Sequence, residues 1–226
     1  MTAVVIPELA GVARLGRHVE HDARSFAYGV DLLGNTDTHT IYWTRHSPIL
    51  DQGNLGSCTG NAMTGALGCD PLLRDDPAQY NEDYAVKLYE EATRLDAFPG
   101  EYPPDDTGSS GLAVAKAAKR FGKISIYHHA FTKLGILHAL QHGPVIIGIN
   151  WYEGFDTPDS DGVISIAGEV RGGHEVLIRG WDMDAGLLHG DNSWSSRWGA
   201  NGSFSMTLET WLRLRAERAD VILPLR

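Results

Sequence analysis

Between residues 58 and 121, apolar side chains return every three or four positions, the period of a helix with one buried face. The spacing predicts a first helix from about Cys58 to Leu67. A second covers Asn81–Leu95, with Asn81 as its cap and Tyr84, Leu88 and Ala92 at helical spacing. A third covers Gly111–Phe121, capped by Ser109 or Ser110 and stopped by Gly122. A short fourth, Lys133–His142, ends at Gly143-Pro144. The pattern then changes. Val145–Asn150, Glu175–Trp181, Leu187–Asp191 and Ser203–Leu208 read as strands separated by Gly, Asp and Asn. Gly154–Gly162 reads as a loop, Thr210–Arg215 as a short helix and Ala219–Leu223 as a last strand. The first 46 residues carry few periodic apolar runs. His18, His21, Asp22 and Arg24 mark them as polar, with one strand expected near Thr40–Thr44. No internal repeat is present. The division is therefore an extended arm over residues 1–47, a helical lobe over about 48–130 and a strand-rich lobe over about 131–226. Helices first and antiparallel strands second give an α+β fold, and two unlike lobes leave a cleft between them.

Composition narrows the partners. The chain has 226 residues, 42% of them hydrophobic, enough for one large domain or two lobes with a real core. Its formal net charge is −10 and it holds no basic block, which argues against nucleic acid and anionic membrane. No apolar run is long enough to span a bilayer. The first residues lack a basic start and a long apolar stretch, so a cytoplasmic location is expected. Cys58 and Cys69, if carried on one helix, would stand roughly 16 Å apart along its axis, too far for a disulfide. Cys69 reads as a small buried residue.

Candidate chemistry centres on Asp51-Gln-Gly-Asn-Leu-Gly-Ser-Cys58. A Gly-rich turn delivers Cys58 to a helix N-terminus, where unpaired backbone N–H groups favour a thiolate. The same N–H groups and the Gln52 amide are suited to an oxyanion. A thiol nucleophile needs an imidazole, and the imidazole needs an orienting partner. His174 follows Gly172-Gly173 and opens an apolar strand, which predicts an accessible ring. Asn192 ends another strand and offers an acceptor for one ring nitrogen.

With these residues in place, the chain resembles the papain-like cysteine peptidases, in the manner of a bacterial or phage member. Gln52-Gly-x-x-Gly-Ser-Cys58, then Gly173-His174 with its apolar strand and Gly180, then Asn192-Ser-Trp194 and Trp198-Gly-x-Asn-Gly202 match three blocks in order, from about residue 48 to the end. The resemblance implies that 48–226 is a papain-like catalytic domain. Its N-terminal lobe would be helical and its C-terminal lobe antiparallel and β-barrel-like, with the active-site cleft between them. It implies Cys58 as nucleophile, His174 as its ion-pair partner and acid, Asn192 as orienter, Gln52 in the oxyanion hole and Trp194 as a shield over the His–Asn bond. It further implies that Gly108 and Gly111, in the loop before the third helix, border the substrate groove. Gly148, Gly173 and Glu175 would line that groove with them. The reaction implied is acyl transfer from a peptide carbonyl, then hydrolysis, without metal or organic cofactor. The same triad would serve a transpeptidase or amidase, and a binding module could keep the fold without catalysis.

Departures from the family pattern carry their own expectations. Thr59 replaces the usual aromatic residue after the nucleophile. Glu175 stands where a small residue is usual, and a carboxylate there would favour a basic substrate side chain or be paired internally. The first 46 residues do not resemble the family's longer helical pro-regions. They are expected to supply a strand to the second lobe, with a self-blocking arm as the alternative. Weaker signals read blandly. His138 and His142, His18 and His21, and His128-His129 are taken as solvated positions without a third metal ligand. Asp182-Met-Asp-Ala-Gly186 is taken as a hairpin turn rather than a calcium loop. Trp151, Trp181, Trp198 and Trp211 are taken as core or cleft wall.

Overall fold

A computed structural model describes residues 2–4, 15–34 and 37–226. The arm expected over residues 1–47 lies outside the described residues at 1, 5–14 and 35–36. Helix α1 spans Cys58–Leu67 and α2 spans Glu82–Leu95, where the Asn81 side chain accepts from the Tyr84 N–H as expected of a cap. Helix α3 spans Gly111–Arg120, and Ser110 rather than Ser109 caps it. Gly122 follows at φ +68, the left-handed turn that glycine permits. Helix α4 is shorter than expected, Gly135–Leu140, and α5 spans Leu208–Ala216.

The strands are β1 (Thr2–Val4), β2 (Arg17–His21), β3 (Ile41–Tyr42), β4 (Ser109–Ser110), β5 (Ile126–His129), β6 (Val145–Tyr152), β7 (Val170–Asp182), β8 (Leu187–Asp191), β9 (Ser203–Thr207) and β10 (Asp220–Leu225). Among the described residues, one sheet runs β5-β10-β6-β7-β8-β9, with β3 added on β7. It is an open sheet rather than a closed barrel, since its end strands β5 and β9 do not pair. A second, small sheet runs β1-β2-β4 and ties the arm to the helical lobe. The expected loop at 154–162 begins as a short 3-10 turn over Glu153–Asp156. The sequence reading missed β5, whose Tyr127, His128 and His129 break the apolar alternation.

Alternation along β6 divides the core. Val145, Ile147, Ile149 and Trp151 enter the cluster behind the sheet with Val176, Ile178, Trp211 and Val221. Ile146 faces the helices with Leu177 and Ile222, against Met63, Leu67, Leu88 and Val114. The next row of that helix-facing side, two residues on, is Glu175, Gly148 and Asp220, adjacent across β7, β6 and β10. Apolar burial thus ends where a polar row begins.

Helices α1 and α2 meet through Gly60. A Cβ there would overlap the Ala85 carbonyl oxygen and stand 3.0 Å from Tyr89 Cβ. Gly60→Ala is therefore expected to destabilise the fold by about 1–3 kcal/mol, despite alanine's better helix propensity. A urea titration measures this, and an unchanged or higher midpoint would refute the close contact.

Candidate active site

Cys58 is the first residue of α1 and has no exposed surface. Backbone N–H groups of Thr59 and Glu175 bond to its sulfur, one from its own helix and one from β7. The loop before it is fixed from both sides. Gln52 takes a bond from Ser193 Oγ to its Oε1 at 2.6 Å, and its N–H reaches the Ser193 carbonyl at 2.9 Å. Gly56 N–H donates to the Asp106 carboxylate, which also accepts from Tyr89 Oη at 2.6 Å. Gln52 Nε2 donates to the Leu55 carbonyl at 2.8 Å, three residues before Cys58.

His174 occupies the middle of β7, directly before Glu175. Its Nε2 lies 2.8 Å from Asn192 Oδ1. That oxygen also accepts the Ser193 N–H, which identifies it as the amide's acceptor end. Nε2 therefore carries the proton, and Nδ1 presents a lone pair, buried with no hydrogen-bond partner. Trp151 packs edge-on against the ring at 4.7 Å between centroids, and Trp194 covers it at 5.2 Å. The expectation of an accessible ring is corrected here: His174 has no exposed surface.

Strand β2 of the arm packs against β7 as well. Gly16 and Gly108 meet backbone to backbone, with Ser109 N–H donating to the Gly16 carbonyl at 2.8 Å. Gly16 adopts φ +88, and a Cβ on it would overlap the Gly56 carbonyl oxygen and stand 2.7 Å from Gly56 Cα. Strand β2 continues parallel to β4, Arg17 beside Ser109 and His18 beside Ser110. His18 Nε2 meets the Thr107 carbonyl at 2.5 Å. Arg17 is fully buried, and its guanidinium pairs with Asp220 and donates to the Arg218 carbonyl. Of the lining residues expected from sequence, Gly108 and Gly148 meet this arm, Gly111 faces Glu175, and Gly173 and Trp194 lie beside His174. The arm also sends β3 to the second lobe.

Burial sets the electrostatics of the pair. It pushes the Cys58 thiol well above the ordinary range, with the Glu175 charge adding to it and the two N–H bonds opposing it. It pushes His174 down to about 4, against the Asn192 bond. Burial thus disfavours the charged form of each of the two groups.

Three histidines depart from expectation. His18, His128 and His129 are buried, not solvated, because β2 and β5 carry them inward. Burial lowers His129 to about 4, opposed by Asp220. For both His129 and His174, the unfolded chain binds a proton near pH 6.5 and the folded one does so only near pH 4. Their effect is a stability that falls as pH drops from 6.5 to 4. Denaturant midpoints at pH 7 and pH 4.5 should show this fall, and His129→Asn should reduce it. A fall undiminished in that variant would refute the assignment to His129.

Sequence reasoning missed Asp220, Arg17 and Asp106. Asp220 begins a strand 45 residues after Glu175, and only sheet register sets the two beside Gly148. Among the described residues, no cluster of three His, Cys, Asp or Glu side chains could hold a metal ion. Both cysteines are free, and Cys69 lies beyond the end of α1, its Sγ on the Gly65 carbonyl at 3.2 Å.

A cysteine at a helix N-terminus, set between a helical lobe and an antiparallel sheet that carries a histidine–asparagine pair, defines a thiol-hydrolase architecture. The chain belongs to the papain family of cysteine proteases, whose family model matches residues 40–216. It is 30% identical over 192 residues to gamete and mating-type specific protein A of Dictyostelium discoideum, covering 75% of this chain and 42% of that protein. It is 36% identical over 152 residues to cathepsin B-like cysteine proteinase 6 of Caenorhabditis elegans, covering 66% of this chain and 39% of that protein. The chain thus spans less than half the length of these relatives. In fold it is similar to xylellain, a cysteine protease from Xylella fastidiosa, with a TM-score of 0.67 at 16% identity over 97% of this chain and 99% of that one.

Proposed function

We propose that the chain is a cysteine-dependent peptide-bond hydrolase that acts on peptides or proteins through Cys58, His174, Asn192 and Gln52. The observation that carries this reading is the Glu175 backbone. Its N–H touches the Cys58 sulfur, and the preceding residue is the histidine whose Nε2 is fixed on Asn192 and whose Nδ1 is left open. In the reaction His174 takes the thiol proton, and the thiolate adds to the substrate carbonyl. The oxyanion is held by the Cys58 N–H and the Gln52 amide. His174 then returns the proton to the leaving amine, and water hydrolyses the thioester. Trp194 keeps water from the His174–Asn192 bond.

In this reading the described conformation is the closed state, with Gly16–His18 in the groove that substrate would use. Burial of both reacting groups supports it. The test is turnover of a peptide library by the full chain and by an arm-displaced variant, with Cys58→Ala as control. Hydrolysis that survives in Cys58→Ala refutes the proposal.

A further inference from the structure

A second group of reactive side chains lies on β3, β7, β8 and β9, and the peptidase reading uses none of it. Tyr42, Gly180, His189 and Ser205 are successive partners in the cross-strand register, so they form one row on one face of the sheet. Gly180 is the gap in that row. A Cβ there would stand 2.7 Å from Tyr42 Cδ1. Without one, the tyrosine ring lies over β7 and reaches His189, with the ring centroids 5.2 Å apart. Asp182 stands two residues along β7 from Gly180, on the same face.

The acid fixes where the protons lie. Asp182 Oδ1 accepts the Asp184 and Ala185 N–H groups, and the Ala185 bond above all holds this carboxyl below its ordinary range. An ionised carboxylate only accepts, so the Tyr42 hydroxyl donates to Asp182 Oδ2 at 3.1 Å. The tyrosine oxygen is left to accept, and His189 Nε2 lies 3.2 Å from it. Nε2 therefore carries the hydrogen. Burial lowers the His189 pKa, with the Asp182 charge opposing and Arg179 adding to it, so the ring is neutral at neutral pH. Its Nδ1 then holds a lone pair, and Ser205 Oγ, 2.9 Å away, donates to it. The bonds run one way, from the serine hydroxyl through imidazole and phenol to a carboxylate.

Tyr42, His189 and Ser205 line a cavity of about 190 Å³ together with Arg179, Ala200 and Phe204. Ala200 and Phe204 give it an apolar wall, and its size suits a short acyl chain rather than a peptide segment. Arg179 brings a positive charge. Its Nε binds Asp191 and its Nη1 reaches the Trp43 carbonyl, which leaves Nη2 as a donor for an anion.

We infer that Ser205 is a second nucleophile of this chain, with His189 as its base, and that it takes acyl groups from short-chain carboxylic esters. Ser205 Oγ adds to the ester carbonyl carbon while its proton passes to His189 Nδ1. Arg179 supplies the donor for the oxyanion. Tyr42 accepts the Nε2–H and, backed by Asp182, steadies the imidazolium. The bond to the alcohol oxygen then breaks, His189 returns the proton to that oxygen, and an acyl serine and a free alcohol remain. Water, with His189 again as base, releases the carboxylic acid and restores Ser205. Tyr42 and Asp182 touch no reacting atom and are positioning residues. No step involves Cys58, so the inference stands apart from the peptidase reading.

The full chain carrying Cys58→Ala is treated with an alkyl fluorophosphonate and, separately, with p-nitrophenyl acetate. One adduct should form, placed on Ser205 by peptide mass spectrometry, and Ser205→Ala should abolish both the adduct and the release of p-nitrophenol. His189→Gln should slow both reactions by at least about 10²-fold, the scale of a general base. Tyr42→Phe keeps the ring and removes only the hydroxyl. It should slow both by about tenfold, the scale of one hydrogen bond. NMR nitrogen shifts of the His189 imidazole should show the Nε2–H tautomer in the Cys58→Ala chain and a mixture of tautomers once Tyr42→Phe is added. A folded chain that forms no adduct, an adduct on another residue, ester hydrolysis undiminished in Ser205→Ala, or an Nδ1–H tautomer before Tyr42 is changed overturns the inference. Circular dichroism confirms folding. If His189→Gln does not fold, Ser205→Ala and Tyr42→Phe decide the question with the same readouts.

Discussion

Cys58→Ala is expected to abolish peptide hydrolysis, and His174→Ala to lower kcat/KM by at least about 10³-fold, the scale on which a nucleophile and its paired base act together. The two losses should not add in a double variant, because either change removes the same thioester-forming step. Asn192→Ala should cost less. It frees the ring but removes no reacting atom, and the shield of Trp151 and Trp194 still confines His174. Initial rates on a peptide pool, read by mass spectrometry in the Gly16→Val background, measure all three. A His174→Ala chain that keeps more than a tenth of the activity would show that another group serves as the base.

Gly16→Val should open the cleft. Valine is poorly tolerated at φ +88, and its Cβ would meet the backbone of Gly56, which Asp106 holds in place. Strain and overlap of this kind amount to a few kcal/mol, enough to raise the open population by roughly 10²-fold. The rate at which iodoacetamide alkylates Cys58 reports it, since the closed state gives the sulfur no exposed surface. Opening also returns water to His174, so its lowered pKa should rise back toward the ordinary histidine range and permit the thiolate–imidazolium pair. Labelling should therefore gain a dependence on His174 that the parent chain lacks. A variant that is folded and labels no faster than the parent would show that the arm does not guard the sulfur.

Much of the architecture was legible in the sequence. Apolar residues at helical spacing and capping side chains put α1, α2 and α3 within a residue of their observed ends, because those signals are local. Strand β8 was equally plain, its run bounded by Gly186 and Asn192. Strand β5 was not, since its pairing with β10 rather than its own alternation makes it a strand. The cysteine, histidine, asparagine and glutamine blocks could be named because each combines a reactive side chain with a glycine-bearing turn.

Other features answer to distance in space and have no sequence signal. Arg17 lies in the arm that the sequence marks as polar, yet it is fully buried, because its partner carboxylate is 203 residues away. The accessible ring expected of His174 fails for the same reason: exposure belongs to the assembled molecule, and Trp151 and Trp194 pack against that ring. The sequence by itself determined the helices and most of the strands, and which residues are suited to chemistry, since helix period, caps and turns act between near neighbours. Only the tertiary structure decided that Glu175, Gly148 and Asp220 stand in one row and that the arm fills the space above them. Cross-strand register and the docking of a distant segment are set by the packing of the whole sheet.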